Sequence, residues 1–169
     1  MNTSNSIRSP SLALVLLLAA LAATASATEF AEPRPGLHTG GQPTREDLAE
    51  FSRQGVRIVI DLRTDGEDRG FDETTEVKRR GMRYVRLPIG GADDLTAENA
   101  TALKNALEQS GDSVLLHCAS GNRVGALLAL MAAQHESATP AEALDFGKRA
   151  GLKSLEPAVA EKLGATPTP

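Results

Sequence analysis

Beyond its N-terminal stretch the chain alternates short apolar runs with segments whose apolar positions fall three and four apart, the rhythm of strands separated by helices. Val56-Arg57-Ile58-Val59-Ile60-Asp61-Leu62 is β-branched and mostly apolar, as a strand covered on both faces should be. Met82 to Ile89 reads as a second buried strand that stops at Pro88, and Ser113-Val114-Leu115-Leu116-His117 as a third. Thr44 can cap a helix with Asp47 at its third position, Leu48 and Phe51 on its inner face and Gly55 ending it. Residues 72 to 80 predict a short charged helix closed by Gly81, and Thr96 can cap a helix running to about Ser110 with Leu103 and Leu107 inside. Val124 to about Gln134 is almost wholly apolar and must be buried. Thr139-Pro140-Ala141-Glu142 is a capping box with proline at the first helical position, opening a helix that Gly147 weakens and Gly151 ends. Ser154 to Leu163 predicts a last short helix. The class is α/β.

The first residues follow a different logic. Residues 1 to 10 are polar with one basic side chain, Arg8, and Leu12 to Ala23 form an apolar run leading into the small-x-small sequence Ala25-Ser26-Ala27. That is the form of a secretory signal peptide cleaved after Ala27. The apolar stretch falls short of the ~20 residues needed to cross a bilayer, so no stable membrane anchor is expected after cleavage. The expected organisation is a signal peptide over 1–27, a Pro-rich lead-in over 28–35, one folded domain over 36–163 and a frayed tail over 164–169, working as a monomer in a periplasm or outside the cell.

Composition narrows the chemistry. The 169 residues are 41% hydrophobic and 24% charged with a net charge of -4, the balance of one soluble domain. Five aromatic side chains, no Trp and mild acidity argue against nucleic acid as a partner. Three scattered histidines, His38, His117 and His135, predict neither a metal site nor a cofactor. The single cysteine, Cys118, can form no intramolecular disulfide, and an exported protein that keeps one thiol alone keeps it for chemistry rather than for stapling.

Cys118 ends a strand and opens the turn Cys118-Ala119-Ser120-Gly121-Asn122-Arg123, after which the buried helix begins. Such a turn aims the backbone amides of Ala119, Ser120, Gly121 and Asn122 at one point near the positive end of the helix, a cradle for an oxyanion. Gly121 suits a position of unusual dihedrals. Arg123 can hold two oxygens of a tetrahedral anion with its planar fork, and the same field favours the ionised sulfur. The ring of His117 is expected to hydrogen-bond backbone near the turn and fix its shape rather than act as a base.

With Gly40-Gly41-Gln42-Pro43-Thr44 and Gly55-Val56-Arg57-Ile58-Val59-Ile60-Asp61-Leu62-Arg63 before it, His117-Cys118-Ala119-Ser120-Gly121-Asn122-Arg123 resembles the protein tyrosine phosphatase-like superfamily. More narrowly it resembles the small bacterial branch related to the phosphatase-like domain of beta-lactamase hydrolase-like proteins, across residues 36 to 163. The resemblance implies a mostly parallel four-stranded sheet flanked by helices and a phosphorylated substrate or other small oxyanion. It also implies Cys118 as nucleophile forming a phosphocysteine, Arg123 as phosphate clamp, and an aspartic acid from a mobile loop as proton donor. Asp93 or Asp94, on the glycine-bearing loop after the second long strand, occupies the donor's place, with Asp65 an outside candidate. Gln42 has two readings, as a residue lining the pocket opposite the cysteine and as part of a turn that needs its glycines.

Two departures from the family matter. Only four residues separate Cys118 from Arg123 where the usual phosphatase turn has five, and Val124 stands where many relatives have a Ser or Thr. The six-residue turn is also the length in rhodanese-type sulfurtransferases, so a Cys118 persulfide is an alternative to the phosphocysteine. A silent anion-binding module is a third reading. Asp61 and Arg63 are expected to form an inward ion pair or a brace for the turn, and Lys78-Arg79-Arg80 to be the solvated end of a helix.

Overall fold

The computed structural model describes residues 29–111 and 113–165. The expected signal peptide and the end of the expected tail lie outside them. The described chain builds β1 (Phe30–Arg34), β2 (Leu37–Gly40), α1 (Arg45–Arg53), β3 (Ile58–Asp61), α2 (Glu73–Arg79), β4 (Arg83–Arg86), α3 (Ala97–Glu108), β5 (Val114–His117), α4 (Asn122–His135), α5 (Pro140–Arg149) and α6 (Glu156–Leu163), with a short 3-10 turn at Ala92–Asp94.

The strands form one five-stranded sheet in the order β1-β2-β5-β3-β4, parallel except for the antiparallel pair β1-β2. The parallel part is the four-stranded sheet expected; the fifth strand is a correction. Its residues fall within the expected Pro-rich lead-in, yet an outer strand tolerates a proline whose missing amide faces no partner. The expected second buried strand is also smaller than its sequence run. β4 is the opposite edge of the sheet, with Arg83 and Arg86 exposed and Tyr84 and Val85 only half covered. β3 and β5 are buried at every position, as the interior of a doubly covered parallel sheet requires.

Two apolar layers sandwich the sheet. On one side Ile58, Ile60, Leu62, Val114 and Leu116 pack against Leu103, Leu127, Leu128, Met131 and Val159 from α3, α4 and α6. On the other, Val59 and Leu115 meet Leu48, Phe51 and Val77 from α1 and α2. The helices begin where the caps predict: Thr44 and Thr139 each form a reciprocal capping box, with Asp47 and Glu142, and Thr96 accepts from Asn99 N. Gly147, read from sequence as a weakness, is a contact: α4 and α5 approach so closely that a methyl added at Gly125 would overlap backbone of Gly147 and Leu152. None of the described helices is long and apolar enough to cross a membrane.

Candidate active site

The register sets up the site. His117 pairs with Gly40 of β2 on one side and Asp61 of β3 on the other, so Cys118 leaves the sheet at the carboxyl ends of parallel strands, where open α/β sheets bind ligands. The turn is pinned from the β2 side. Cys118 N donates to Gly40 O at 3.3 Å, Gln42 N donates to Ala119 O at 3.2 Å, and Gly41 bridges Ser120. Gly121 lies at φ +84°, against the backbone of Gly40, and is the N-cap of α4 with no side chain to satisfy the first amides. Its own amide donates to Cys118 Sγ at 3.1 Å. The sulfur is buried at the floor of the turn, while Ala119 and Ser120 are exposed at its mouth.

Arg123 lies beside that sulfur. Its guanidinium donates to both oxygens of Glu67, each at 2.6 Å, and to Ile89 O at 2.8 Å. The hydrogen bonds to Glu67 raise its pKa above the ordinary value, burial opposes them, and the charge of and hydrogen bonding to Cys118 add to the rise. Arg123 in turn holds Glu67 down at about 2, against burial, with help from Thr64 N and Oγ1 at 2.8 and 3.1 Å. Asn122 turns its side chain away from the cradle: Oδ1 accepts from Lys153 N at 2.8 Å and Leu155 N at 3.3 Å, and Nδ2 donates to Ser154 Oγ at 2.8 Å. What Asn122 can offer an anion is its amide alone.

The candidate proton donors are not equivalent. Asp94 Oδ2 accepts from Gly90 N at 2.6 Å and its carbonyl accepts from Asn99, so its carboxylate braces the loop that carries it. Asp93 is exposed on that loop, and Ile89 ties the loop's start to Arg123. Asp65 is 87% exposed and paired with Arg86. Gln42 is half-buried beside the turn, close to Gly70, in a shallow cleft of about 430 Å³ that also includes Arg45 and Phe71.

Beneath the turn lies a buried polar network. Arg63, wholly buried, donates from Nε and Nη2 to the two oxygens of Asp61 at 2.9 and 3.0 Å and also pairs with Glu73. The inward ion pair is the expected one. Asp61 further accepts from Tyr84 Oη at 2.6 Å and Arg69 Nε at 3.2 Å. Burial pushes Asp61 up, but the Arg63 hydrogen bond, the charge of His117 and Tyr84 together hold it well below the ordinary carboxylate range. Tyr84 is raised to about 12, by burial first and then by Asp61. The His117 ring meets backbone only weakly, with Nδ1 3.4 Å from Cys118 O. Its Nε2 is 2.8 Å from Glu73 Oε1, close enough for an ion pair but not aligned as a hydrogen bond, since both atoms lack a well-directed partner. Asp61, Glu73 and His117 bring ligand atoms within 4.8 Å of one another, a spacing a metal ion could use. Arg63 already supplies the cation between the two carboxylates, so the donor set does not fit a metal.

Sequence reasoning missed Glu67, Glu73, Arg69 and Tyr84. Glu67 had a signal: Thr64-Asp65-Gly66-Glu67 is a capping-box pattern, and Glu67 does fold back on Thr64, although no helix follows. Glu73 precedes Val77 by one helical turn and so shares its buried face.

A family profile described as "Beta-lactamase hydrolase-like protein, phosphatase-like domain" matches residues 29–135. The chain belongs to that family. A beta-lactamase hydrolase-like protein from Xylella fastidiosa is 37% identical over 98 residues, which are 56% of this chain and 22% of that protein. The chain thus matches about a fifth of the length of this curated relative. Among solved structures, a candidate phosphatase from Neisseria meningitidis matches with a TM-score of 0.66 at 18% identity, over 78% of this chain and 96% of its own. P. aeruginosa TpbA in complex with pTyr matches with a TM-score of 0.61 at 17% identity, over 82% and 89%. The phosphatase-like domain therefore has the fold of these phosphatase-like structures.

Proposed function

We propose that this phosphatase-like domain hydrolyses phosphate monoesters through a covalent phosphocysteine on Cys118. The observation that carries the reading is the sulfur at the floor of the turn, 3.1 Å from the Gly121 amide, with Arg123 alongside at the start of the fourteen-residue helix α4. The sulfur attacks phosphorus as the ester P–O bond breaks, and Asp93 gives its proton to the departing oxygen. Asp93 is preferred to Asp94 because the Asp94 carboxylate holds Gly90. Water, giving a proton back to the Asp93 carboxylate, then cleaves the S–P bond, releasing inorganic phosphate and restoring the thiolate and the protonated Asp93. The amides of Ala119, Ser120, Gly121 and Asn122 and the guanidinium of Arg123 carry the charge on the equatorial oxygens.

The four-residue spacing from Cys118 to Arg123 favours a second reading, sulfane transfer from a donor such as thiosulfate through a Cys118 persulfide. One assay set separates the two. Purified protein receives an alkyl phosphate and an aryl phosphate, and separately thiosulfate with cyanide. The expected result is phosphate release that vanishes in Cys118→Ser. In Asp93→Asn the rate with the alkyl ester, the poorer leaving group, falls by about a hundredfold or more. Thiocyanate production without phosphate release would replace the hydrolytic reading by the sulfur one.

A further inference from the structure

The guanidinium of Arg123 has five N–H groups, two on each terminal nitrogen and one on Nε. The bonds to Glu67 and Ile89 use both hydrogens of Nη1 and one of Nη2. None of these three bonds takes the Nε hydrogen or the second Nη2 hydrogen, and those two share one edge of the plane, spaced for two oxygens of an oxyanion. Glu67 is therefore not in competition for that edge. It grips the end of the guanidinium and fixes the rotation of the plane, while Ile89 O prevents it from sliding. Glu67 is itself held by Thr64, whose amide and hydroxyl both donate to Oε1.

We propose that Glu67 is a positioning residue: its end-on grip turns the Nε–Nη2 edge of Arg123 toward the Cys118 cradle, where it binds two oxygens of the substrate phosphate. The proposal rests on the phosphatase reading for its substrate, but its geometry concerns any tetrahedral oxyanion in the cradle. The interaction between Arg123 and Cys118 places the guanidinium on the sulfur's side of the turn. A carboxylate ionised throughout the neutral range can keep this grip with or without ligand. Loss of the grip frees the long arginine side chain to other rotamers, and a misplacement of about 1 Å at a reacting centre costs about a hundredfold in rate.

The test uses the whole protein with Glu67→Ala and Glu67→Gln, the second keeping one acceptor oxygen. Inorganic phosphate binding is measured by calorimetry, turnover of an aryl phosphate by kcat and KM, and the Arg123 Nε–H signal by NMR as phosphate is added. Phosphate binding is expected to weaken about tenfold in Glu67→Ala, ~1.4 kcal/mol, and less in Glu67→Gln, with kcat falling in the same order and thermal midpoints close to the parent. The Nε–H signal should shift on phosphate addition in the parent and not in Glu67→Ala. Tighter phosphate binding in either variant would show that the carboxylate blocks the fork, and unchanged binding would show that it does nothing there; both overturn the proposal. A parent that binds phosphate but cleaves no ester, with binding weakened in the variants, removes the hydrolytic reading and leaves the role of Glu67 standing. A parent that binds no phosphate removes both.

Discussion

Replacing Arg63 by methionine, which keeps much of the side-chain length, removes the guanidinium from between two buried carboxylates. Asp61 would keep Tyr84 and the partly exposed Arg69, whereas Glu73 would keep only the unaligned His117 ring. Removing one partner of a buried ion pair costs about 3–5 kcal/mol, and the help of Arg69 puts the expectation near the lower end, ~3 kcal/mol. With a urea slope of about 2 kcal/mol per molar for a domain of this size, the unfolding midpoint should fall by about 1.5 M. pH supplies the decisive control. In the parent, Asp61 titrates below its ordinary 3.8 when folded, so its contribution is complete above that value and is lost as pH falls through the lower folded value. In Arg63→Met the two carboxylates face burial and each other without the cation, a cost that falls on their ionised forms. Their penalty is then greatest at high pH and relieved as they take up protons. The variant's deficit should be clearly smaller at pH 5 than at pH 8. A loss under about 1 kcal/mol, or one equal at both pH values, would refute the account of Arg63 as the cation that makes this network tolerable.

The close crossing of α4 and α5 predicts that Gly125→Ala, which would drive a methyl into the Leu152 amide and the Gly147 carbonyl, destabilises by about 3 kcal/mol. Urea unfolding that matched the parent would show that the helices can move apart. The phenol of Tyr84 should ionise with a midpoint raised to about 12, followed by its absorbance in alkali, and a midpoint near 10 would mean that Asp61 is not its partner.

Local patterns were legible in the sequence because their causes are local. Thr44, Asp47, Thr139 and Glu142 announce helix starts through hydrogen bonds spanning three residues, and those bonds form as read. Cys118 through Arg123 announce a turn that the structure builds with Gly121 at positive φ. The hairpin of β1 and β2 was illegible because two prolines dominate its residues, while its pairing partners are set by tertiary contact with β5. Glu67 meets Arg123 across fifty-six residues, and Glu73 meets His117 only once the sheet has brought β3 and β5 together. Spacing along a chain carries no record of such meetings. The candidate donors Asp93 and Asp94 sit between the cases: the loop was identified, but only the hydrogen bond from Gly90 distinguishes Asp94 from its neighbour.

The sheet has two outer margins, and neither is hospitable to another strand. One carries Pro33 between Glu32 and Arg34, interrupting the ladder where a newcomer would need an amide. The other presents Arg83 and Arg86, whose charges a docking segment would have to desolvate. Lateral growth by zipping copies edge to edge, the commonest hazard of an open sheet, is thus discouraged at both margins by features lying outside the cysteine turn. Mutations that remove those charges or that proline are where insolubility should first appear, with the chemistry of the turn left intact.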